Sequence, residues 1–167
     1  LKLGQNSRAL ANQYNINHIW ARIFSVYGPY DVQNTMVMSS IRTMIKENKS
    51  PNYTKAEQMW DYIYSKDVAK ALYLIGEKGK NNSIYCIAQG EPKKLKEYIK
   101  EIRDSIDKSI NLNLGIMPYN DKQVMNLQAD ISNLKNDTGF FPEYTFKEGI
   151  RETIKWYKES CDKNEKN

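Results

Sequence analysis

Apolar and polar positions follow two rhythms along this chain, and the rhythms take turns. Residues 1–14, LKLGQNSRALANQY, carry Leu3, Leu10 and Ala11 at helical spacing, and Asn15 can close the helix. Residues 18–26 change to period two. Ile19, Ala21 and Ile23 alternate with Trp20, Arg22 and Phe24, which predicts one unbroken strand stopped by the turn Tyr27-Gly28-Pro29. Residues 34–48 predict a helix with Met36, Val37, Ile41, Met44 and Ile45 on one face. A short strand follows at 58–64, QMWDYIY. Ser65 can cap the next helix, whose inner stripe is Val68, Ala71, Leu72 and Ile75. Residues 83–88, SIYCIA, are nearly all apolar, the mark of a strand buried on both faces.

Gly90-Glu91-Pro92 ends that strand, and a helix with Leu95, Ile99, Ile102 and Ile106 comes next. Residues 110–117 alternate as an edge strand does. Asp130 opens a short helix that Gly139 terminates. The last helix has a capping box of Thr145 and Glu148, with Tyr144 as its staple and Ile150, Ile154 and Tyr157 facing inward. The end, CDKNEKN, is polar and expected to fray.

Helices alternating with strands in this order predict an α/β layer fold with mostly parallel strands. Such folds place ligands beyond the carboxyl ends of the strands, and the turn from Ser25 to Asp31 is one such end. A strand as strong as 18–26 needs a neighbour on each side, yet only a helix precedes it. The chain also opens at Leu1, inside a helical pattern and without Met, so the expectation is a piece of a longer protein.

Composition narrows the picture. The 167 residues suffice for one domain, with 40% hydrophobic and 27% charged residues. The net charge of +5 is spread along the chain, without the basic-aromatic interleaving of a nucleic-acid surface. No apolar run approaches a membrane span. Two cysteines, Cys86 in an apolar run and Cys161 near the polar end, make no disulfide framework, and a cytoplasmic location is expected. With one histidine, His18, no metal site is expected. Asp61 and Asp67 are expected to brace the turn around Ser65, and Trp156 to serve packing.

RIFSVYGPYD followed by WDYIYSKDVAKAL resembles the extended short-chain dehydrogenase/reductase family, the NAD(P)-dependent sugar-nucleotide epimerases and dehydratases. SIYCIAQGEPKKLKEYIKEI is similar to that family's strand-turn-helix. ADISNLKNDTGFFPEYTFKEGIRETIKWY is similar to its closing segment. Four such pieces in order cover residues 1–158 and leave 159–167 as a polar tail. The resemblance implies the C-terminal portion of a Rossmann-like parallel sheet plus the small substrate-binding region. It also implies a parent enzyme using NAD or NADP on a nucleotide sugar. The family's glycine-rich pyrophosphate loop, and the Tyr-x-x-x-Lys that stands ahead of its LKLGQ-like stretch, are both missing from this sequence. On the implied alignment Leu1 directly follows the catalytic lysine. Lys2, the other candidate, would put Gly4 and Gln5 out of step.

The same resemblance assigns residues. Ile23, Phe24 and Val26 would form the apolar wall against the nicotinamide. Ser25, where many relatives have asparagine, would touch substrate phosphate. Asn34, with Thr35 and Met36, would sit at the diphosphate, although Asn is equally a good helix cap. Trp60 replaces an arginine of many relatives and would stack on base or sugar. Tyr119 and Gln123 stand where a second arginine is expected, with Arg42, Lys55 or Lys122 as substitutes for the missing positive charge. No residue here is expected to perform the chemistry. The resemblance also implies a homodimer, through the helix at 1–14. The alternatives are a noncatalytic sugar-nucleotide-binding relative, and an unrelated α/β interaction domain whose strand 18–26 would be an edge or be fully paired within the chain.

Overall fold

The computed structural model describes residues 2–164; the expected place of Leu1 and the end of the tail, 165–167, lie outside them. The order is α1 (Lys2–Gln13), β1 (Trp20–Ile23), β2 (Ser25–Tyr27), α2 (Met36–Glu47), β3 (Met59–Trp60), β4 (Tyr62–Tyr64), α3 (Ser65–Lys78), β5 (Ile84–Ile87), β6 (Lys93–Lys94), α4 (Leu95–Ile106), α5 (Ser132–Thr138) and α6 (Phe146–Asn164).

The predicted strand 18–26 is real but broken at Phe24. Its first half, β1, pairs in parallel with β5, from Trp20 opposite Ile84 to Ile23 opposite Ile87. The Phe24 N–H still reaches Ile87 O at 3.0 Å. The chain then leaves β5, and β2 pairs in parallel with β4, Ser25 opposite Tyr62. The break also changes the face. Ala21 and Val26 pack on the same cluster of Ile63, Val68, Ala71, Tyr85, Ile87, Leu134 and Phe140. An unbroken strand would send these two positions to opposite faces, so Phe24 supplies the one-residue slip. Residues 58–64 divide in the same way at Asp61: β3 pairs antiparallel with β6, and β4 belongs to β2.

Two layers flank this strand. On one side α3 and α5 cover Ala21, Tyr85 and Ile87. On the other, α1 brings Gly4 against Trp20. A second core joins α2, α4 and α6 to the tyrosines of β2 and β4: Tyr27, Val37, Met38, Ile41, Met44, Tyr64, Ile102, Ile110, Ile150, Ile154 and Tyr157. Ile41 and Ile102 are fully buried there, each worth about 1.5–3 kcal/mol of transfer free energy. α6 lies flush on this aromatic floor because residue 149 is glycine; a Cβ there would stand 2.8 Å from Tyr64 Cδ2. Gly28 does the same for α3, where a Cβ would stand 2.9 Å from Ser65 Cβ.

Several expectations need correction. Residues 110–117 form no strand; there is one bridge, Asn113 to Asn52, and backbone hydrogen bonds join Asn113, Gly115 and Met117 to Tyr53 and Thr54. Ser65 is the first residue of α3 and not its cap, and Leu72 is 42% exposed. β5 is buried on one face only, with Ile84 37% exposed on the other. Cys86, for all its apolar run, is only half-buried, as is Cys161, and both are free. α6 continues past 158 to Asn164, so the helix takes in much of the expected tail. The capping box stands as expected: Thr145 N–H and Oγ1 both donate to Glu148, at 2.9 and 2.7 Å. Among the described residues no helix is long and apolar enough to cross a membrane.

Candidate functional site

The end of β1 and the start of β2 form the centre of the expected site. Ile23 is 47% exposed, Phe24 is half-buried at the slip, and Val26 turns into the Ile63 cluster. The three expected wall residues therefore do not share a face; Ile23 and Phe24 remain at the surface, and the slip explains why Val26 does not.

Ser25 and Trp60, 35 positions apart in sequence, meet directly: the indole Nε1–H donates to Ser25 Oγ at 2.8 Å. Trp60 is held from behind, since Tyr98 donates its hydroxyl to Trp60 O at 3.0 Å. Next to it Met59 N–H reaches Met125 O and Leu127 N–H reaches Met59 O, both at 2.9 Å. This ribbon connects the 119–127 segment to the site. Within it, Tyr119 Oη accepts from Glu57 N–H at 2.9 Å and Gln123 Nε2 donates to Val124 O at 3.3 Å.

At the start of α2 the cap is Thr35, whose Oγ1 accepts from Met38 N–H at 3.2 Å and donates to Asp31 at 2.9 Å. Asn34 is left exposed, its side chain free of the cap role that its residue type offered. Met36 packs between the α2 core and the Tyr53–Ile99 cluster. Of the substitute cations, Lys55 and Lys122 are exposed, while Arg42 lies beside Tyr157 of α6.

The two buried aspartates are braces, but their hydrogen bonds go to other segments and not to the turn around Ser65. Asp61 accepts from Gln89 N–H at 2.9 Å and Gly90 N–H at 3.0 Å, fixing the end of β5. Burial is the main influence on its carboxyl and raises its pKa, against these hydrogen bonds. Asp67 accepts from Glu143 and Tyr144 N–H, at 2.9 and 3.1 Å, and ties α3 to the loop that launches α6.

Burial likewise pushes the phenols of Tyr27, Tyr62 and Tyr64 up, and that of Tyr98 to about 12. The rings pack on one another and on Phe146 in and beside the α2–α4–α6 core. Among the described residues no group of three metal-ligating side chains occurs. His18 Nε2 lies 2.9 Å from Ser7 Oγ, and its ring stacks on Trp20.

One feature escaped the sequence. Between α1 and the β1–β5 pair lies a cavity of about 440 Å³ lined by Gly4, Gln5, Arg8, Trp20, Arg22 and Ile84. Arg8 Nε and His18 Nδ1 are buried without a hydrogen-bond partner. Among the described residues β1 has β5 on one edge and no strand on the other. Gly4 is the glycine in this lining, and among the described residues no run of glycine N–H groups faces it, so these residues build no pyrophosphate cradle.

Comparison with known proteins places this geometry. The sequence pattern of the NAD dependent epimerase/dehydratase family matches residues 4–88. A dTDP-glucose 4,6-dehydratase of Escherichia coli is 30% identical over 160 residues, covering 90% of this chain but 44% of the relative. CDP-abequose synthase of Salmonella typhimurium is 28% identical over 87% of this chain and 50% of its own length. Among solved structures, the UDP-N-acetylglucosamine 4-epimerase of Methanobrevibacter ruminantium, in complex with UDP-N-acetylmuramic acid, superposes with a TM-score of 0.83. It is 27% identical, over 94% of this chain and 51% of that one. The epimerase Mth375 of Methanothermobacter thermautotrophicus shares the fold, with a TM-score of 0.86 at 17% identity. The chain thus spans about half the length of the curated relatives it matches. The β1 edge alone would also have suited an unrelated α/β domain; the sequence match decides between them. By that match, the chain belongs to the NAD dependent epimerase/dehydratase family.

Proposed function

We propose that this chain is the C-terminal, substrate-side part, residues 1–158 followed by a polar tail, of an NAD(P)-dependent nucleotide-sugar epimerase or dehydratase. The observation that carries this reading is the asymmetry of the match: nine-tenths of this chain, under half of the dehydratase. The unpaired edge of β1 and the exposed Ile23 support it, because both suit a preceding strand layer. In the parent, the cofactor supplies hydride acceptance during transient oxidation at a sugar carbon. The base for that step comes from outside this chain. Ser25, Asn34 and Trp60 would hold the nucleotide sugar, with Thr35 setting the start of α2 and Tyr119 and Gln123 anchoring the neighbouring loop. Ile23 and Phe24 would wall off water beside the nicotinamide. Without the cradle and the base, the chain alone is inactive and holds neither NAD nor NADP.

A cytoplasmic location accords with two free cysteines. Homodimerisation through α1 accords with Leu3 and Leu10, which are 73% and 56% exposed at positions that share a helix face. A noncatalytic sugar-nucleotide-binding relative is the second reading, favoured by tryptophan in place of a diphosphate-pairing arginine; an intact glycine-rich loop and a Tyr-x-x-x-Lys upstream would exclude it.

The test is a titration of the isotope-labelled chain with UDP-glucose and dTDP-glucose, and separately with NAD and NADP. The expected result is resonance shifts at Ser25, Asn34 and the Trp60 indole with a nucleotide sugar, and no calorimetric signal with either dinucleotide. Micromolar NAD binding, or nucleotide-sugar shifts confined to other residues, would overturn the reading.

A further inference from the structure

Both departures from the family pattern near β2, serine at 25 and tryptophan at 60, end on the same hydrogen bond. The indole N–H is a donor only, so its bond to Ser25 Oγ at 2.8 Å fills an acceptor lone pair of the hydroxyl. Trp60 is the only side-chain partner of Ser25 Oγ among the described residues, and it cannot take the hydroxyl proton. That proton therefore remains to be donated elsewhere. A serine hydroxyl is normally a free rotor; here the incoming N–H restricts it to orientations pointing away from the ring.

The two partners are also held independently. Ser25 is fixed by its pairing with Tyr62, and Trp60 by the Tyr98 hydroxyl at 3.0 Å, by β6 opposite it, and by the Met125–Leu127 segment beside it. The separation is thus set by two braced strands and not by a flexible loop. Both side chains are half-buried, where a neutral hydrogen bond competes with less water than at the surface.

We infer that Trp60 is a positioning residue: its indole N–H orients the Ser25 hydroxyl so that Ser25 donates one neutral hydrogen bond to an oxygen of the nucleotide sugar. The pair replaces charge recognition by oriented neutral donation at this subsite. The inference rests on the reading that Ser25 faces the substrate, and it goes further by making Trp60 act through Ser25 and not through its own N–H.

The experiment has two arms on the same chain. The first reads hydrogen exchange of the Trp60 indole N–H in the unliganded chain. Protection is expected in the native chain, lost in Ser25→Ala and kept in Ser25→Thr, which retains the hydroxyl. The second reads the dissociation constant for UDP-glucose or dTDP-glucose, whichever binds more tightly. Ser25→Ala and Trp60→Phe should each weaken it by about fivefold, the scale of one hydrogen bond. The double variant should be no weaker than either single one, and Ser25→Thr should stay within about twofold of native. Trp60→Phe keeps an aromatic ring; should it unfold, Ser25→Ala and Ser25→Thr decide the question by themselves.

An unprotected indole, or losses that multiply in the double variant, would overturn the inference while leaving the substrate-side reading intact. A protected indole in a chain that binds neither nucleotide sugar would overturn the substrate-side reading and this inference with it.

Discussion

Asp61→Ala is the perturbation whose cost the structure defines most fully. The carboxylate is completely buried between β3 and β4, and it receives the N–H groups of Gln89 and Gly90 at 2.9 and 3.0 Å. A hydrogen bond to a charged acceptor contributes about 1.5–3 kcal/mol, so losing two removes roughly 3–6 kcal/mol. Burial acts against this: it raises the Asp61 pKa and is the largest influence on it, so the alanine recovers part of the desolvation cost. The expected net loss is about 3 kcal/mol, or roughly 6–12 °C in Tm for a chain of this size. Asp61→Asn keeps one oxygen acceptor and should lose about 1–2 kcal/mol. The sign of the pH dependence follows from the raised pKa. An acid that ionises less readily when folded favours the folded state at low pH, and that contribution is lost as pH rises from the unfolded carboxyl value through the folded one. The gap between the native chain and Asp61→Asn should therefore narrow as pH rises through the carboxyl range. Urea unfolding followed by circular dichroism at several pH values gives both readouts. An alanine variant within about 0.5 kcal/mol of native, or a gap that widens with pH, would refute the reasoning.

Gly149→Ala should destabilise by about 1–2 kcal/mol, because overpacking against Tyr64 outweighs the gain of about 1 kcal/mol in helix propensity; a variant with a higher urea midpoint would show that α6 does not lie flush on the tyrosines. Glu57 takes hydrogen bonds from Lys94 at 2.8 Å and Lys96 at 2.7 Å, which hold its carboxyl at about 2. Any stability it contributes is present above the usual carboxylate range and lost as pH falls through about 2. Carbon-detected titration should find that low value in the native chain and an ordinary one in the Lys94→Ala/Lys96→Ala double variant; equal values in both would sink the assignment. The exposed α1 stripe and the open β1 edge predict self-association, and light scattering that reports a monomer at every concentration would count against it.

Hydrophobic rhythm revealed α2 and α6 because each has a long stripe to display. The α2 stripe of Val37, Ile41 and Met44 and the α6 stripe of Ile150, Ile154 and Tyr157 are buried as read. The same rhythm misled where a strand changes partner. Ile19 through Val26 looks continuous because a one-residue slip at Phe24 exchanges one apolar position for another and leaves no gap in composition. Residues 110–117 alternate without forming a strand, since alternation registers half-burial and not a continuous ladder; only 113–117 bond to the 52–54 segment. Cap chemistry at the start of α2 was shared between adjacent residues, Asn34 and Thr35, and only the backbone shows that Thr35 holds Met38 N–H.

The candidate site was singled out residue by residue, and its internal connection was not legible. Ser25 and Trp60 were each singled out for departing from a pattern, but no local signal links two positions 35 apart. The cavity beside Arg8 and Arg22 was invisible for a similar reason, as it lies between a helix and a strand that read as separate amphipathic units.

The central claim, that this chain is the substrate-side part of a longer epimerase or dehydratase, is tested most directly by reading the coding sequence upstream of Leu1. The account predicts an open frame encoding a glycine-rich strand-to-helix turn and a Tyr-x-x-x-Lys whose lysine adjoins Leu1. An open frame that continues into sequence carrying neither motif would contradict it.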